Sequence, residues 1–121
     1  MWAVIKIKTN CIGLLKEDLN KRFKKQVDFY IPKILVQTNT HKKPFNKSIS
    51  LLGDYIFCYH YNFNNTKFLD QLRFVKGIKY FLNGHLDSQN EIKEFISKCK
   101  KLEDKKGFIS KNFFELNLKS F

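Results

Sequence analysis

The sequence predicts a single domain of the α/β class, in the α+β arrangement, with an antiparallel sheet flanked by helices. Three observations carry this prediction. Residues 2–8, WAVIKIK, alternate apolar and polar side chains from Val4, which is typical of a half-buried strand. Residues 12–25 place apolar side chains at helical spacing, with charged groups on the other face. Residues 55–61 alternate aromatic with other side chains, which predicts a strand with apolar groups on both faces.

The other strands are shorter or interrupted. Residues 28–38, DFYIPKILVQT, are β-branched and aromatic, and Pro32 restricts that strand to a sheet edge or a bend. Residues 38–49 are polar, basic and broken by Pro44, so we expect a loop there. A fourth short strand follows at 78–83, IKYFLN.

Two more helices complete the predicted order. A short helix begins at Thr66, which we expect to be its N-cap, and ends before Gly77. A longer helix starts at Asp87 or Ser88 and continues to about Leu102. The order βαββαβ with an extra C-terminal helix is the ferredoxin-like pattern.

Length and charge limit the classes of protein. The 121 residues suit one domain, predicted at 1–102, with a linker or tail at 103–121 and no second domain. The net charge of +12 favours a polyanionic partner, but all basic residues except Arg22 and Arg73 are lysines. Lysines suit non-specific phosphate attraction better than base reading. No apolar run is long enough to span a bilayer, and no signal peptide is recognisable, so a cytoplasmic location is expected.

The sequence contains few features that suggest a catalytic, metal or cofactor site. Neither a phosphate-binding glycine loop nor a dinucleotide-binding motif occurs. The three cysteines are too widely spaced for a disulfide framework or a zinc knuckle, and the histidines lack metal-ligand spacing. Cys58 and His60 share a strand face, but no third group completes a nucleophilic site. We therefore expect no enzymatic activity, no metal and no cofactor.

Several motifs occur in one order and together resemble the N-terminal domain of NusG-type transcription elongation factors, including the paralogue RfaH. They are Trp2 at the head of the first strand, Glu17-x-Leu19 in the first helix, YIPKI at 30–34, SLLGDYIF at 50–57, KGIKYFL at 76–82 and Ile92 in the closing helix. The resemblance covers about residues 1–102. The chain departs from the family pattern at Ala3, Ser50, Gly53 and Asp54, and it lacks the family's second β-barrel domain.

The resemblance implies a factor that binds bacterial-type RNA polymerase as a monomer. Its apolar patch for the clamp helices of the largest subunit corresponds to Leu52, Tyr55 and Phe57, and its contact with the gate loop corresponds to Phe68, Leu69 and Asp70. Lys8, Lys21 and Lys76 correspond to positions near upstream or non-template DNA, and Arg22, Lys42, Lys43 and Lys47 are candidates to join them. Such a factor bridges the clamp across the DNA channel and suppresses pausing.

Strand periodicity leads to a specific expectation about the aromatic strand. Tyr55 and Phe57 share one face, whereas Ile56 and Cys58 share the other. If the helices pack on Ile56 and Cys58, then Tyr55 and Phe57 are available for a partner. The alternative is that they fill the core.

Two other functions fit the same residues. An RRM-like single-stranded RNA-binding module has the same element order and places stacking aromatics on its third strand. Against it, the first strand has no internal aromatic and arginine is scarce. A basic structural or ribosome-associated protein is the third alternative, and aromatic substitutions would then remove no binding hot spot.

Overall fold

The computed structural model describes residues 1–22, 27–40, 43–82 and 84–109, with the backbone alone for 37–40 and 43–46. The strands are β1 Trp2–Ile7, β2 Asp28–Tyr30, β3 Lys33–Thr40, β4 Lys43–Ser50, β5 Tyr55–Tyr59, β6 Ile78–Phe81 and β7 Phe108–Ile109. The helices are α1 Ile12–Arg22, α2 Thr66–Gln71 and α3 Gln89–Leu102, and a single 3-10 turn, Leu72–Phe74, follows α2. The mixed α and β content is the predicted class.

Four strands form the main sheet, in the order β2-β5-β1-β6, and every neighbouring pair is antiparallel. In the centre Val4 pairs with Phe57, and towards one end Lys6 pairs with both Tyr55 and Tyr80. The pairing of β1 with β6 shifts register between Lys6 and Ile7. The predicted strands at 2–8, 55–61 and 78–83 all occur, with shorter bounds.

A second sheet, β4-β3-β7, occupies much of the segment predicted to be a loop, so the prediction for 38–49 was wrong. Strands β3 and β4 pair antiparallel from Lys33 opposite Ser50 to Thr40 opposite Lys43. Residues 38–49 are mostly polar, so no regular apolar face marks β4 or the end of β3. Pro44 is tolerated because β4 is an edge strand, where a missing N–H need not break a ladder.

Pro32 lies where the chain leaves one sheet for the other. The segment predicted as one bent strand is divided, with β2 in the main sheet and β3 in the second. Pro32 itself is buried, and its carbonyl accepts a hydrogen bond from the Leu51 N–H at 2.8 Å. The proline thus marks a bend, as predicted.

The helices begin and end at recognisable residues. The N-cap of α2 is Asn65 rather than the predicted Thr66, since the Asn65 side chain accepts from the Lys67 and Phe68 N–H groups. Gly77 follows the 3-10 turn with a φ of +89°. The N-cap of α3 is Ser88, one of the two residues predicted, and α3 ends at Leu102 as expected.

Two apolar clusters cover the two faces of the main sheet. The first joins Ile5, Ile56 and Cys58 to Leu15 and Leu19 of α1. The second joins Val4 and Phe57 to the buried side of α3, which consists of Ile92, Phe95, Ile96 and Cys99. The centre of the sheet is therefore sandwiched between helices.

Residues 103–109 continue the fold beyond the predicted end of the domain at Leu102. The Asp104 carboxylate accepts hydrogen bonds from the Lys106 and Phe108 N–H groups and so shapes the turn before β7. Strand β7 pairs parallel with β3, and Ile109 is buried in the second cluster. The rest of the predicted tail, 110–121, lies outside the described residues.

Candidate functional site

Phe57 is not available for a partner, contrary to the prediction from strand periodicity. Its side chain has no exposed surface, and its ring lies 5.8 Å from that of Phe95 and 6.3 Å from that of Tyr30. The prediction assumed that every helix packs on the Ile56 face, whereas α3 packs on the Phe57 face. Phe57 is a core residue.

The same face remains accessible at the end where β5 begins. Tyr55 is half-buried, and the Lys6 ammonium lies 4.4 Å above its ring. The Tyr55 hydroxyl lies 3.2 Å from that of Tyr80, which is 46% exposed. This hydrogen bond is the largest cause of a raised pKa at Tyr80. Lys6, Tyr55 and Tyr80, called here the tyrosine patch, form a cationic and aromatic surface.

Leu52, which the resemblance assigned to the same patch as Tyr55, adjoins the tyrosine patch. It lies in the turn before β5, where its carbonyl accepts a hydrogen bond from the Tyr55 N–H at 3.3 Å. Leu52, Tyr55 and Leu82 are partly buried against the second cluster. Tyr80 was missed by sequence analysis, although its alternation with Phe81 in IKYFLN is the signal that places it on this face.

A groove follows the free edge of β6 and reaches the tyrosine patch. Its volume is about 640 Å³, and its lining includes Leu69, Asp70, Arg73, Tyr80 and Leu82. Leu69 and Asp70 were predicted as gate-loop contacts, and Asp70 forms an exposed ion pair with Arg73 at 3.5 Å. The edge of β6 thus joins two of the predicted contact regions into one surface.

Phe68, predicted with Leu69 and Asp70, points elsewhere. Its ring stacks on that of His60 at 4.9 Å with an interplanar angle of 14°. It also packs against Phe63 in the first cluster, with 5.9 Å between ring centroids. Because Phe68 is partly buried in an aromatic stack, its main role is in packing.

Three predicted nucleic-acid residues lie along α1: Lys8 precedes its first turn, Arg22 is its last residue, and the Lys76 backbone is bonded to Asp18 within it. The Asp18 carboxylate accepts hydrogen bonds from the Lys76 backbone N–H at 3.0 Å and from the Arg22 Nε at 3.1 Å. These contacts, the backbone bond first, lower the pKa of Asp18, while partial desolvation opposes them. The Lys8 N–H donates to the carbonyl of Gly77 at 2.8 Å. Lys8, Arg22 and Lys76 are called here the basic corner.

The other predicted cations are dispersed. Lys21 is exposed and pairs with Glu17 at 3.1 Å, one turn earlier on α1. Lys47 is exposed on β4, in the second sheet. Lys43 begins β4, and its side chain lies outside the description, as does the whole of Lys42. Of the described side chains, neither Lys21 nor Lys47 takes part in the contacts of the basic corner.

Phe74 is the most exposed large apolar residue of the described chain, at 76%, and sequence analysis missed it. The Arg22 guanidinium donates to its backbone carbonyl at 3.3 Å, so the Phe74 backbone adjoins the basic corner. In the sequence, Phe74 falls within the short helix predicted between Thr66 and Gly77. Only the 3-10 turn reveals that it faces solvent.

The described residues offer little for covalent or metal chemistry. Burial raises the pKa of the Cys58 thiol, and it raises that of Cys99 to about 12, which keeps both protonated and poorly nucleophilic. Across the described part of the chain, no three His, Cys, Asp or Glu side chains are grouped closely enough to hold a metal ion. No helix among these residues has the length and apolarity that a membrane span requires.

Comparison with models of known protein families finds no match, and neither does comparison with curated proteins. The resemblance to NusG-type factors therefore rests on the short sequence motifs.

Proposed function

We propose that this protein is a transcription elongation or antitermination factor of the NusG type. It binds the clamp helices of RNA polymerase, bridges the clamp across the DNA channel and suppresses pausing. It acts by binding rather than by catalysis, as a monomer in the cytoplasm and without a cofactor. The observation that carries the proposal is the tyrosine patch, which is continuous with the groove along β6.

The topology supports this assignment. With β3 and β4 regarded as an insertion, the main sheet has the order expected of a ferredoxin-like βαββαβ domain such as the NusG N-terminal domain. Helix α1 connects β1 to β2, and α2 lies between β5 and β6. We assign the chain to that fold on this order together with the motifs.

The patch has the composition of a protein-binding hot spot. Tyrosines supply a large contact area at low conformational cost, and a half-buried ring is already held in place by its neighbours. Tyr55 is held by Tyr80 and Lys6, so little order is lost on docking. Clamp helices docked here would bring the groove with Leu69 and Asp70 towards the opposite jaw.

Bridging suppresses pausing only if the factor prefers one clamp state. A ligand shifts a conformational equilibrium by no more than the difference between its affinities for the two states. Two contacts, one at the tyrosine patch and one at the β6 groove, fit together only at the jaw separation of the closed clamp. The preference for that state is the source of the antipausing activity.

The proposal is tested by capture of bacterial core RNA polymerase on the immobilised full chain. Tyr55→Ala combined with Tyr80→Ala should reduce affinity at least about thirtyfold, which corresponds to ~2 kcal/mol for a lost hot spot. A polymerase without the tip of its clamp helices should bind weakly to the wild type and show no further loss with the variant.

Tyr61→Ala is the matched control, because Tyr61 is an exposed tyrosine stacked on His60 rather than on the patch. It should bind the intact polymerase like the wild type. Equal capture of the intact and tip-deleted polymerases would refute the proposal.

A further inference from the structure

A second aromatic surface lies at the opposite end of the face that carries the tyrosine patch. Strand β1 begins at Trp2 and β5 ends at Tyr59, and the two residues are cross-strand partners at the centre of the main sheet. Their rings lie 5.2 Å apart at an interplanar angle of 65°. Trp2 is partly exposed and Tyr59 is 39% exposed, so both rings reach the surface.

A strip of lysines on α3 borders this aromatic pair. Trp2 shares a groove of about 420 Å³ with Lys93, Ile96, Ser97, Lys100 and Lys101 of that helix. The spacing of Lys93, Ser97 and Lys100 puts them on one flank of α3, and that groove has no carboxylate in its described lining. The acidic Glu94 is not in that lining, and it pairs with Lys98 at 3.6 Å.

A second groove, of about 440 Å³, lies on the other side of Trp2 and includes Tyr59, Tyr30 and Lys100 in its lining. The Lys100 ammonium lies 5.3 Å above the Tyr30 ring. Two carboxylates are near: Asp28 lines this groove, and Glu103 accepts the Tyr30 hydroxyl at 2.6 Å. Trp2 and Lys100 line both grooves, so the two lie side by side across the aromatic pair, and together they are called here the channel.

The N-terminus lies close to the lysine strip. The Met1 α-ammonium donates to the His60 carbonyl at 3.2 Å, close to the start of β1. Its pKa is lowered, first by burial and then by repulsion from Lys93. Lys93 is thus within electrostatic reach of the start of β1.

We propose that this channel binds single-stranded nucleic acid, with unpaired bases stacked on Trp2 and Tyr59 and phosphates beside Lys93, Lys100 and Lys101. Aromatic rings offer every base a stacking partner, and a lysine groove tracks the backbone without reading sequence. Duplexes are excluded, because their bases are already stacked. This binding does not depend on the proposed polymerase contact, which uses the other end of the face.

Trp2 is the only tryptophan of the chain, so its fluorescence reports directly on the channel. The full chain is titrated with oligouridine and oligothymidine of about ten nucleotides, a length within the usual site sizes. Both strands should quench the Trp2 emission saturably, and a hairpin duplex of the same charge should not. Tighter binding of oligouridine identifies RNA as the ligand, whereas equal affinities show that the channel binds single-stranded RNA and DNA alike.

Variants separate stacking from charge. Tyr59→Ala should weaken binding at least about fivefold, and Tyr59→Phe, which keeps the ring, should restore it. Removal of three charges by Lys93→Gln, Lys100→Gln and Lys101→Gln should weaken binding and lower the slope of log affinity against log salt by about 2. The control removes three exposed charges away from both grooves, by Lys67→Gln, Lys105→Gln and Lys106→Gln, and should leave most of the salt dependence unchanged.

Three results would overturn the proposal. They are the absence of quenching by either strand, equal losses in the two triple variants, and an unchanged affinity of Tyr59→Ala. Thermal melts of each variant exclude unfolding as the cause of a loss. Polymerase capture is measured on the same variants, so failure here and failure of the proposed function remain distinguishable.

Discussion

Phe57 shows how one residue changes the interpretation of a strand. Its ring contributes to the core that α3 closes, so truncation removes contacts with Phe95 and Tyr30 and leaves a cavity. Phe57→Ala should therefore reduce the free energy of unfolding by about 3–5 kcal/mol, measured by denaturant titration. Tyr80→Ala, at an exposed site in the same sheet, should change it by less than about 1 kcal/mol. Similar values for the two variants would show that Phe57 is not buried in solution.

Asp18 makes folding sensitive to acid. Its folded-state pKa lies below the ordinary value of 3.8, chiefly because the Lys76 N–H and the Arg22 side chain stabilise the carboxylate. The unfolded chain therefore binds a proton more readily. The stabilisation is fully present above 3.8 and is lost as pH falls through the lower folded pKa.

Asp18→Asn should lower the free energy of unfolding at neutral pH. It should also reduce the part of that free energy that is lost as pH falls into the acid range. The measurement is the unfolding free energy of both chains across the acid range. Two curves that remain parallel below pH 3.8 would contradict the assigned role of the carboxylate.

At the scale of elements, the junction of α1 with β6 depends on Gly77. Its φ is +89°, and an added Cβ would lie 2.9 Å from the backbone oxygen of Cys11, which cannot move aside as a side-chain tip can. Gly77→Ala should destabilise the chain by more than about 1 kcal/mol.

Gly13 is the matched control for this substitution. It lies in α1 with an ordinary helical φ and with nothing within 4 Å of an added Cβ. Gly13→Ala should stabilise the chain by about 0.4–1 kcal/mol. Thermal melts of the two variants should shift in opposite directions, and a shift in the same direction would rule out the proposed close approach.

The elements that sequence predicts well are those with a clear period. Alternation of apolar side chains predicts strand β1, and helical spacing predicts helix α3. The observed bounds of both differ from the prediction by one or two residues. Strand β4 and the end of β3 could not be predicted, because their residues are mostly polar and Pro44 suggested a loop, whereas residues 33–38 of β3 belonged to a predicted strand. The face that α3 covers was also beyond prediction, since an amphipathic helix does not specify which side of a sheet it will meet.

The same division applies to the site residues. Tyr55 was identified because strand period and an aromatic side chain are visible in sequence. Phe57 was misassigned because burial depends on α3, more than thirty residues later in the chain. Phe74 was missed because its exposure is set by a 3-10 turn, which no sequence pattern reveals, whereas Tyr80 was missed although the alternation in IKYFLN was available.

At the scale of the whole molecule, helices cover the centre of both faces of the main sheet. The surfaces that remain accessible to partners therefore lie at its ends and edges. The tyrosine patch lies at one end of the α3 face, and Trp2 with Tyr59 lies at the other. The basic corner lies on the remaining side of the domain, where α1 meets the turn before β6. Three surfaces of different chemistry suit a factor that contacts both polymerase and nucleic acid.

The basic corner should contribute only when DNA is present. Lys8 and Lys76 are exposed, and phosphate contacts gain affinity by releasing counterions from DNA. Lys8→Glu with Lys76→Glu should weaken binding to an elongation complex strongly, and increasingly so at low salt, while binding to DNA-free polymerase changes little. Lys105→Glu with Lys106→Glu, at exposed sites in the turn before β7, controls for net charge and should have the smaller effect. Equal losses with and without DNA would place Lys8 and Lys76 against the polymerase instead, because a contact with protein does not depend on phosphates.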